Sequence, residues 1–545
     1  MKYLSGGLLD FHTEVVVIGG GVTGAGIARD LTLRGIESIL VEKGDLAAGA
    51  TGRCHGLLHS GGRYVVKDPE SASECIEENL ILKKVASRNI EDTGGFFVRL
   101  PQDDKQYVET FLMACDDVGI ETEFVSLSEA RSMEPNLTEE AKEIIQVPDA
   151  AVDPFGLTLD NAADSEAGGG KVMRHTEAVE IVVERANVKA VVVRDKVTGE
   201  THKIRAKFVV NATGGWAENV ASLSGAHVPL SLYKGSLLIF NRRINNRVIN
   251  RLRPPGSGDI IVPNEPTSII GTTSILVADP ENFKVTRAEV ETMLAEAALM
   301  LPPSVDARVI RAYAGIRPLL GNIEGSGGDN DDTGRNISRS FSVIDHGLTD
   351  GINGFISIVG GKLTTYRLMA EKVVDLIAET LGVHTPCTTA EKPLPGSEDG
   401  KHYKLGDRFD KIEIAMKKEP AGIEEIVCEC ELVTKKEILK VIQETGTTDL
   451  NDIQHRTRVG MGSCQGGFCT YRLLGILHEL GMVPDYEAND ILIKFLEERW
   501  RGIRPILRGD QLVEEQLMEG IYLGLFALDK VEEREGDKKK KGNKK

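Results

Sequence analysis

A glycine-rich turn near the N-terminus has the residue types and spacing of a dinucleotide-binding loop. Gly19, Gly21 and Gly24 form the pattern Gly-x-Gly-x-x-Gly. A β-branched run at 14–18 precedes the turn, and a helical pattern that ends at Gly35 follows it. Glycine lets the backbone approach a pyrophosphate, and the helix N-terminus adds N–H donors and a positive dipole end. The cofactor-binding residues predicted here are Gly19, Gly21, Val22, Thr23 and Gly24.

Glu42 supplies the second part of a dinucleotide site. It lies 18 positions after Gly24, at the end of a predicted strand at 38–41. A carboxylate at this place accepts hydrogen bonds from the ribose hydroxyls of an adenosine. The alternative is a glycine turn in an empty unit of the same fold, but the strand, the helix and the acidic residue together favour a nucleotide site.

Two further glycine turns indicate which dinucleotide is bound. A strand pattern ends in a turn at 209–215, and another turn at 360–365 opens a helix far downstream. Two distant segments that return to one nucleotide fold suit FAD, which needs more surrounding backbone than NAD does. The second helix start would place N–H groups near the flavin pyrimidine, where negative charge develops on reduction. We therefore predict FAD, with the contact residues Ala212, Thr213, Gly214, Gly361, Lys362, Leu363 and Thr364.

Four of the eight cysteines fall within positions 428–469 and have the number and type of ligands that a metal centre needs. Cys428, Cys430, Cys464 and Cys469 follow the pattern Cys-x-Cys-x33-Cys-x4-Cys. Thiolates suit either zinc or an iron–sulfur cluster, and four of them complete either site. The spacing departs from the Cys-x2-Cys pairs usual for zinc, and the glycines among them would let backbone N–H groups approach cluster sulfurs. The pattern favours an iron–sulfur cluster, with zinc as the alternative.

The elements that must position these groups are those of an α/β enzyme. Mixed strand and helix signals run over about 380 residues without an internal repeat, which predicts one large core with a Rossmann-like FAD-binding domain. We expect an oxidoreductase domain at 1–385, a linker at 386–422, a small helical cysteine-bearing domain at 423–476, a helical segment at 477–530 and a disordered lysine-rich tail at 531–545.

The composition of the 545-residue chain excludes several classes of protein. With 41% hydrophobic and 27% charged residues it is neither collagen-like nor largely disordered. A net charge of −18 argues against general nucleic-acid binding, which needs a positive surface. Residues 1–12 lack the features of a secretory signal, and no uncharged apolar run reaches 18 residues. We expect a cytoplasmic protein with reduced thiols.

Several segments resemble FAD-dependent glycerol-3-phosphate dehydrogenases. They are the flavin-contact segment at 50–64 and the segments 314–319, 337–341 and 360–367. With the cysteine-bearing unit, the chain resembles the A subunits of the anaerobic branch of this family from about residue 13 to residue 529. The resemblance implies an α+β substrate domain interleaved with the FAD domain. It also implies the cofactor residues Thr51, Gly52 and Arg53.

The resemblance further implies a reaction and a substrate site. The reaction is oxidation of sn-glycerol 3-phosphate to dihydroxyacetone phosphate, with hydride transfer from C2 to FAD. A phosphomonoester carries nearly two negative charges near neutral pH, and arginine forks match its oxygens. Ion-paired cations and a packing tyrosine are the alternatives for these positions. The substrate-binding residues implied are Arg63, Tyr64, Arg317, Arg339 and Lys362, of which Arg317 and Lys362 are also assigned to catalysis.

Two interpretations of the catalytic base stay open. His59 matches the family histidine in the flavin-contact segment and has an intrinsic pKa suited to proton transfer. A structural histidine that fixes the flavin loop is the other interpretation. The aerobic branch of the family has a histidine after Lys-Gly-Ser, where this chain has Leu237. His55 is a poorer candidate for the base.

The cysteine-bearing unit resembles the bacterioferritin-associated-ferredoxin-like [2Fe-2S] domain. Such a cluster implies that electrons leave singly toward further flavin and iron–sulfur subunits of a complex, and then toward a quinone-type acceptor. We expect an oligomeric assembly without nucleic acid, held peripherally on the cytoplasmic face of the cell membrane through those partners.

Two other functions stay open from the sequence. One is a different FAD and iron–sulfur dehydrogenase that acts on a 2-hydroxy acid or a secondary amine and binds a carboxylate with fewer cations. The other is a non-catalytic subunit that keeps the cofactors and relays electrons to a partner.

Overall fold

The computed structural model describes residues 10–321, 334–335, 337–410, 413, 425–525 and 528. The predicted tail at 531–545 and part of the predicted linker, 411–412 and 414–422, lie outside the described residues.

Strands occupy both the N-terminal and the middle parts of the chain. They are β1 (Asp10–His12), β2 (Val15–Ile18), β3 (Ser38–Val41), β4 (Leu57–Leu58), β5 (Ile90–Glu91), β6 (Gly95–Arg99), β7 (Glu123–Phe124), β8 (Glu143–Val147), β9 (Ala150–Val152), β10 (Lys171–Met173), β11 (Thr176–Glu184), β12 (Asn187–Asp195), β13 (Thr201–Arg205), β14 (Phe208–Asn211), β15 (Leu230–Phe240), β16 (Val248–Arg251), β17 (Ile260–Asn264), β18 (Thr267–Gly271), β19 (Ile275–Val277), β20 (Val309–Leu320), β21 (Phe341–Asp345), β22 (Phe355–Gly360), β23 (Ile426–Cys428) and β24 (Val433–Thr434).

Helices alternate with these strands and then dominate the C-terminal part. They are α1 (Val22–Leu33), α2 (Pro69–Val85), α3 (Gln106–Val118), α4 (Leu127–Met133), α5 (Pro154–Ala167), α6 (Ala217–Ala221), α7 (Arg287–Met300), α8 (His346–Thr349), α9 (Tyr366–Leu381), α10 (Lys435–Thr445), α11 (Leu450–Thr457), α12 (Cys469–Glu479), α13 (Asp485–Ile503) and α14 (Asp510–Gly520).

A six-stranded sheet forms the nucleotide-binding part of the fold. Its order is β10-β3-β2-β14-β22-β21, and every neighbouring pair is parallel except β21 with β22. Strands β2 and β3 are fully buried, which explains their continuous apolar sequence. Helices α1, α5 and α9 pack together on one face of this sheet. The carboxyl ends of β2, β14 and β22 therefore lie side by side, where a parallel sheet places its ligand.

A nine-stranded mixed sheet forms the second layer of the main body. Its long strands β15 and β20 pair antiparallel, with Tyr233 opposite Arg317 and Ser236 opposite Ala314. Helix α7 packs on this sheet, and its buried residues Val290 and Met293 belong to the same apolar cluster as Leu238. The strands of this sheet come from between β5 and β21 of the chain. The expected interleaving of a second α+β unit with the Rossmann-like unit is therefore confirmed.

The cysteine-bearing unit is a small helical body with one short hairpin, β23–β24. Its apolar cluster joins residues of α10, α11, α12 and α13, including Ile438, Ile453 and Leu473. Helix α10 begins with a capping box, in which the Thr434 hydroxyl accepts from the Glu437 N–H at 3.3 Å. The predicted α/β architecture with a small C-terminal helical domain is confirmed.

The described part of the predicted linker, 386–410, lies against the main body. Leu394 is fully buried, and its N–H donates to the Val85 carbonyl at 2.7 Å. The Arg29 guanidinium, buried in α1, donates to the Lys392 carbonyl at 2.8 Å. This described part of the linker is therefore packed on the main body.

Candidate functional site

One large cavity lies between the two main sheets. Its volume is about 910 Å³, within the range of small-molecule and cofactor sites. It begins beside Glu42, passes the ends of β2 and β14, and reaches Arg317, Arg339 and Lys362. Most of the residues predicted from the sequence to bind cofactor or substrate therefore line a single space.

The glycines of the first turn are each required by a close approach. Gly19 has φ +113°, and a Cβ there would lie 2.6 Å from the Ala212 carbonyl oxygen of the neighbouring strand end. A Cβ at Gly24 would lie 1.9 Å from the Gly19 oxygen. Gly21 and Val22 line the cavity beside Thr23, and the Val22 N–H donates to Thr51 Oγ1 at 3.1 Å. Gly24 does not line the cavity. Its role is to let helix α1 pack closely on the turn, while Gly19, Gly21, Val22 and Thr23 face the ligand space.

Glu42 lies at the far end of the cavity and is held by backbone groups. Its carboxylate accepts from the Gly20 N–H at 2.7 Å and from the Gly44 N–H at 2.8 Å. Burial raises the pKa of Glu42, and these two N–H donors oppose the shift. A carboxylate has about four acceptor positions, so this arrangement fixes its direction and leaves capacity for ribose hydroxyls.

The middle of the cavity is formed by the loop at 49–56 and the end of β14. Thr51 and Arg53 line the cavity, and the Arg53 guanidinium lies 3.7 Å from the Phe283 ring centroid. Gly52 lies behind them and does not line the cavity. It is packed so closely that a Cβ there would lie 2.5 Å from the Ala47 oxygen and would also meet the Phe155 ring. From β14, Ala212, Thr213 and Gly214 line the cavity.

The second glycine turn brings β22 to the start of α9. Gly360 and Gly361 both have positive φ, +80° and +70°, which favours glycine at each. Lys362 and Leu363 line the cavity. Thr364 is fully buried behind it, and its Oγ1 accepts from the His59 N–H at 3.1 Å. Thr364 therefore acts on the site through the His59 backbone.

Cations gather at the substrate end of the cavity. The Arg317 guanidinium donates to the Thr273 carbonyl, and Arg339 Nη2 donates to the Gly334 carbonyl at 3.3 Å. Lys362 Nζ donates to the Arg339 carbonyl at 3.0 Å and lies 5.2 Å from the Tyr64 ring centroid. Within the described residues, none of these three cations has a carboxylate at ion-pair distance, and Arg339 Nη1 is buried without a hydrogen-bond partner.

These cations perturb one another. Burial lowers the pKa of Arg317 to about 9, and the neighbouring guanidinium groups of Arg339 and Arg335 act in the same direction. Like charges that share a desolvated pocket are stabilised by an anion with several oxygens. The residues present therefore fit a phosphate group.

Arg63 differs from the other three cations. It forms a buried ion pair with Asp259, and its Nη1 donates to the Arg251 carbonyl at 3.1 Å. Asp259 also pairs with Arg253 at 2.6 Å. Arg63 lines the cavity, but unlike the other three cations it has a carboxylate partner, which it shares with Arg253.

His59 and Tyr64 lie among these groups. Their ring centroids are 5.3 Å apart, and His59 is 8% exposed. Burial lowers the pKa of His59 well below its ordinary value, and the charges of Lys362 and Arg63 act in the same direction. The imidazole is therefore neutral near pH 7 and has a free lone pair for a proton. Burial likewise raises the pKa of the Tyr64 hydroxyl, which stays protonated.

The four clustered cysteines meet in two pairs. The Cys428 and Cys469 thiols hydrogen-bond each other, as do those of Cys430 and Cys464. The bond from Cys469 lowers the pKa of Cys428 against the effect of burial, and the Gly460 N–H contributes. Burial raises the pKa of Cys430. Among the described residues, no three His, Cys, Asp or Glu side chains lie close enough together to hold a single metal ion.

Glycine lets the cysteine loop close. A Cβ at Gly462 would lie 2.4 Å from the Cβ of Cys430. Four thiols in two pairs, with backbone N–H groups aimed at a sulfur, fit a binuclear cluster in which each iron takes two thiolates.

The cysteine-bearing unit is fixed beside the loop at 49–56. Arg456 forms a buried ion pair with Asp45, and the His455 ring stacks on Phe155 with centroids 4.7 Å apart. Phe155 in turn packs against Gly52. These contacts therefore pack the cysteine-bearing unit against the part of the main body that forms the cavity.

Comparison with known proteins identifies both parts of the chain. Residues 14–367 match the family described as FAD dependent oxidoreductase, and residues 426–479 match the BFD-like [2Fe-2S] binding domain. The A subunit of the anaerobic glycerol-3-phosphate dehydrogenase of Escherichia coli K12 is 42% identical over 544 residues, which cover 95% of this chain and 97% of that protein.

The chain belongs to the family of anaerobic glycerol-3-phosphate dehydrogenase A subunits.

A second relative and a solved structure agree with this assignment, in sequence and in fold respectively. The A1 subunit of the anaerobic glycerol-3-phosphate dehydrogenase of Haloferax volcanii is also 42% identical, over 95% of this chain and 91% of that protein. The FAD complex of a glycerol-3-phosphate dehydrogenase from Bacillus halodurans has the same fold, with a TM-score of 0.62 at 23% identity over 91% of this chain and 96% of that one.

The cofactors follow from the family. FAD and a [2Fe-2S] cluster are the cofactors of this chain, as predicted, and the domain match favours the cluster over the zinc alternative. In the part of the chain that the structure describes, no helix is long and apolar enough to cross a membrane.

Sequence reasoning missed several residues that shape the cavity. Arg335, Thr272 and Asp259 line it, and Trp216 and Glu281 flank its adenosine half. They carry no local motif, because pairing of distant strands brings them together. His55, rated a poor candidate for the base, also lines the cavity. Its Nδ1 is buried without a hydrogen-bond partner among the described residues.

Proposed function

We propose that this protein oxidises sn-glycerol 3-phosphate at C2 to dihydroxyacetone phosphate and passes the electrons to partner subunits. The observation that carries the proposal is the cluster of Arg317, Arg339 and Lys362 at one end of the FAD cavity, without carboxylate partners among the described residues. A monocarboxylic 2-hydroxy acid or a secondary amine with one carboxylate would bring at most one negative charge to this cluster, whereas a phosphomonoester brings nearly two.

The cations bind and orient the substrate. Arg317 and Arg339 present forked donors, and Lys362 supplies a point charge between them and Tyr64. Because these cations hold the phosphate, the C2 carbon of a three-carbon substrate stays within reach of His59, which lines the same cavity. Arg63, paired with Asp259, contributes hydrogen bonds and little net charge.

His59 accepts the proton of the C2 hydroxyl. Its imidazole is neutral in this buried setting, which is the state that a base requires. A phosphate dianion bound beside it raises its pKa toward neutrality, so substrate binding itself strengthens the base. The hydroxyl group of Thr364 holds the His59 backbone at 3.1 Å and so fixes the distance to the substrate.

When bound, FAD supplies the two-electron acceptor and the [2Fe-2S] cluster supplies a one-electron outlet. The relatives named above are A subunits, which supports transfer to other subunits of a complex. We propose that the final electron acceptor is a quinone-type molecule. The electrons would reach it through partner subunits at the cytoplasmic face of the membrane.

Anaerobic substrate addition tests the proposal. Glycerol 3-phosphate should bleach the visible flavin band of the holoenzyme, whereas glycerol, a 2-hydroxy acid and a secondary amine should leave it unchanged. Bleaching by one of the other substrates alone would refute the substrate assignment.

The base has its own test. His59→Gln should slow flavin reduction by glycerol 3-phosphate about 10²- to 10⁴-fold, the usual contribution of a general base. An unchanged rate in His59→Gln would remove the base assignment and leave the rest of the site intact.

A further inference from the structure

A buried polar cluster lies directly behind Arg317. It consists of Lys234, Ser236, Thr273 and Glu289, which are 4%, 0%, 4% and 5% exposed. The Glu289 carboxylate accepts from Lys234 Nζ at 2.9 Å, from Ser236 Oγ at 2.7 Å and from Thr273 Oγ1 at 2.9 Å. Side chains from β15 and from the loop after β18 therefore converge on one carboxylate of α7.

The charge of this carboxylate is maintained despite its burial. Burial alone would raise the pKa of Glu289, but hydrogen bonds from Ser236, the Thr286 backbone, Lys234 and Thr273 hold it below its ordinary value. Buried ionic clusters of this kind are often no more stabilising than apolar residues of the same shape. Glu289 also completes the capping box of α7 with Thr286, so the cluster fixes the start of α7 as well as the position of Thr273.

Thr273 connects the cluster to Arg317. Its hydroxyl donates to Glu289 and accepts from the Ser236 N–H at 3.0 Å, and its own N–H donates to the Ser236 carbonyl at 3.4 Å. Its carbonyl accepts from Arg317 Nη2. The oxygen that holds the guanidinium thus belongs to a residue fixed through its hydroxyl and its N–H.

Successive residues of β15 face alternately the Glu289 cluster and Arg317. Lys234 and Ser236 point to Glu289, and Gly235 between them faces Arg317. A Cβ at Gly235 would lie 2.4 Å from Arg317 Nη2 and 3.2 Å from Cζ. The guanidinium therefore lies close to the bare backbone of Gly235 and is held by the Thr273 carbonyl.

We propose that Thr273, fixed by Glu289 and Ser236, is a positioning residue that orients Arg317 for the substrate phosphate, with Gly235 as the surface against which the guanidinium lies. The inference rests on the proposed function, because it assigns a purpose to the cation that this function uses. It makes the affinity for phosphorylated substrates depend on a hydroxyl outside the cavity.

Two substitutions at Thr273 form the test. Thr273→Val keeps the volume and the branched shape and removes the hydroxyl, whereas Thr273→Ser keeps the hydroxyl. Thr273→Val should raise KM for glycerol 3-phosphate about tenfold, with kcat changed less than about threefold, because ground-state and transition-state binding are lost together. Thr273→Ser should restore KM to within about twofold of the wild type.

A second variant displaces Arg317 directly, without changing Thr273. Gly235→Ala leaves the Glu289 cluster intact and displaces the guanidinium, so it should raise KM in the same way if Thr273→Val fails to fold. Thr292→Val, on the exposed face of α7, is the matched control and should leave KM unchanged.

Phosphate binding separates this inference from the proposed function. Calorimetric titration of the oxidised holoenzyme with inorganic phosphate needs no turnover, and its Kd should rise about tenfold in Thr273→Val and Gly235→Ala but not in Thr273→Ser. If wild-type flavin is not reduced by glycerol 3-phosphate, the function is wrong, and this titration still decides the role of Thr273. Equal phosphate affinity in the wild type, Thr273→Val and Gly235→Ala would overturn the inference.

Discussion

Replacing Arg317 with methionine separates its role in binding from its effect on stability. The guanidinium has five N–H donors, and the structure directs one nitrogen to the Thr273 carbonyl. A bidentate pair with phosphate would use two of the others. Each hydrogen bond to a charged group contributes about 1.5–3 kcal/mol, so their loss should lower kcat/KM about 10²- to 10³-fold or more.

The same substitution should stabilise the substrate-free protein. A pKa near 9 instead of 12.5 corresponds to as much as about 5 kcal/mol of unfavourable free energy for carrying the charge. Loss of the partner of the Thr273 carbonyl offsets about 1–3 kcal/mol of this. We therefore expect Arg317→Met to raise the free energy of unfolding by up to about 2–4 kcal/mol.

Arg367 provides the matched comparison. It is also buried, but it is paired with Glu78 at 2.5 Å, and this partner helps to raise its pKa. Arg367→Met leaves a buried carboxylate without its cation and should lower the free energy of unfolding by about 3–5 kcal/mol. Stopped-flow flavin reduction measures the first effect, and denaturant unfolding of the holoenzyme measures the second. The reasoning would be refuted if Arg317→Met had a lower free energy of unfolding than the wild type and an unchanged dependence of flavin reduction on substrate concentration.

Three further predictions concern the cofactors and the pH dependence. Gly24→Ala should reduce FAD affinity about tenfold or more, since its Cβ would overlap the Gly19 oxygen, whereas Gly475→Ala, in open space on α12, should stabilise by up to about 1 kcal/mol. Burial lowers the pKa of His55 to about 4, so between pH 6.5 and 4 the unfolded chain binds the extra proton. The free energy of unfolding should fall about 1.4 kcal/mol per pH unit on acidification from this group alone, a slope that His55→Gln should reduce. Cys464→Ser should lose the iron–sulfur absorbance and slow electron delivery to a one-electron acceptor while flavin reduction by substrate persists.

Each of these has a contrary outcome. Normal flavin content in Gly24→Ala would contradict the packing argument, and an unchanged acid slope in His55→Gln would mean that another group governs it. Loss of flavin reduction in Cys464→Ser would contradict the separation of the two redox steps.

Part of the nucleotide end is built from local contacts, which a sequence pattern can indicate. Gly24 packs on the Gly19 oxygen, and Glu42 accepts from the Gly20 N–H, all within one strand–helix–strand unit. FAD was predicted from this unit together with the distant turns at 209–215 and 360–365, and the cluster from the number and spacing of four cysteines; both cofactors are confirmed. The roles of the individual site residues and the domain boundaries stay predictions.

The substrate end could not be read in the same way. Arg63 and Arg317 look equivalent in sequence, and the difference between them is Asp259, which lies 196 positions from Arg63 in the chain. Thr273 has no motif, and its relation to Arg317 depends on the pairing of β15 with β20. Long-range strand pairing decides which cations are balanced, and no local pattern reports it.

The most direct test of the proposed reaction is anaerobic titration of the holoenzyme with glycerol 3-phosphate, followed by flavin absorbance and by electron paramagnetic resonance of the cluster. We predict that the flavin band bleaches and that a reduced [2Fe-2S] signal appears in the same titration, with both responses weakened in Arg317→Met. A flavin that stays oxidised at saturating glycerol 3-phosphate, in protein that dithionite reduces fully, would contradict it.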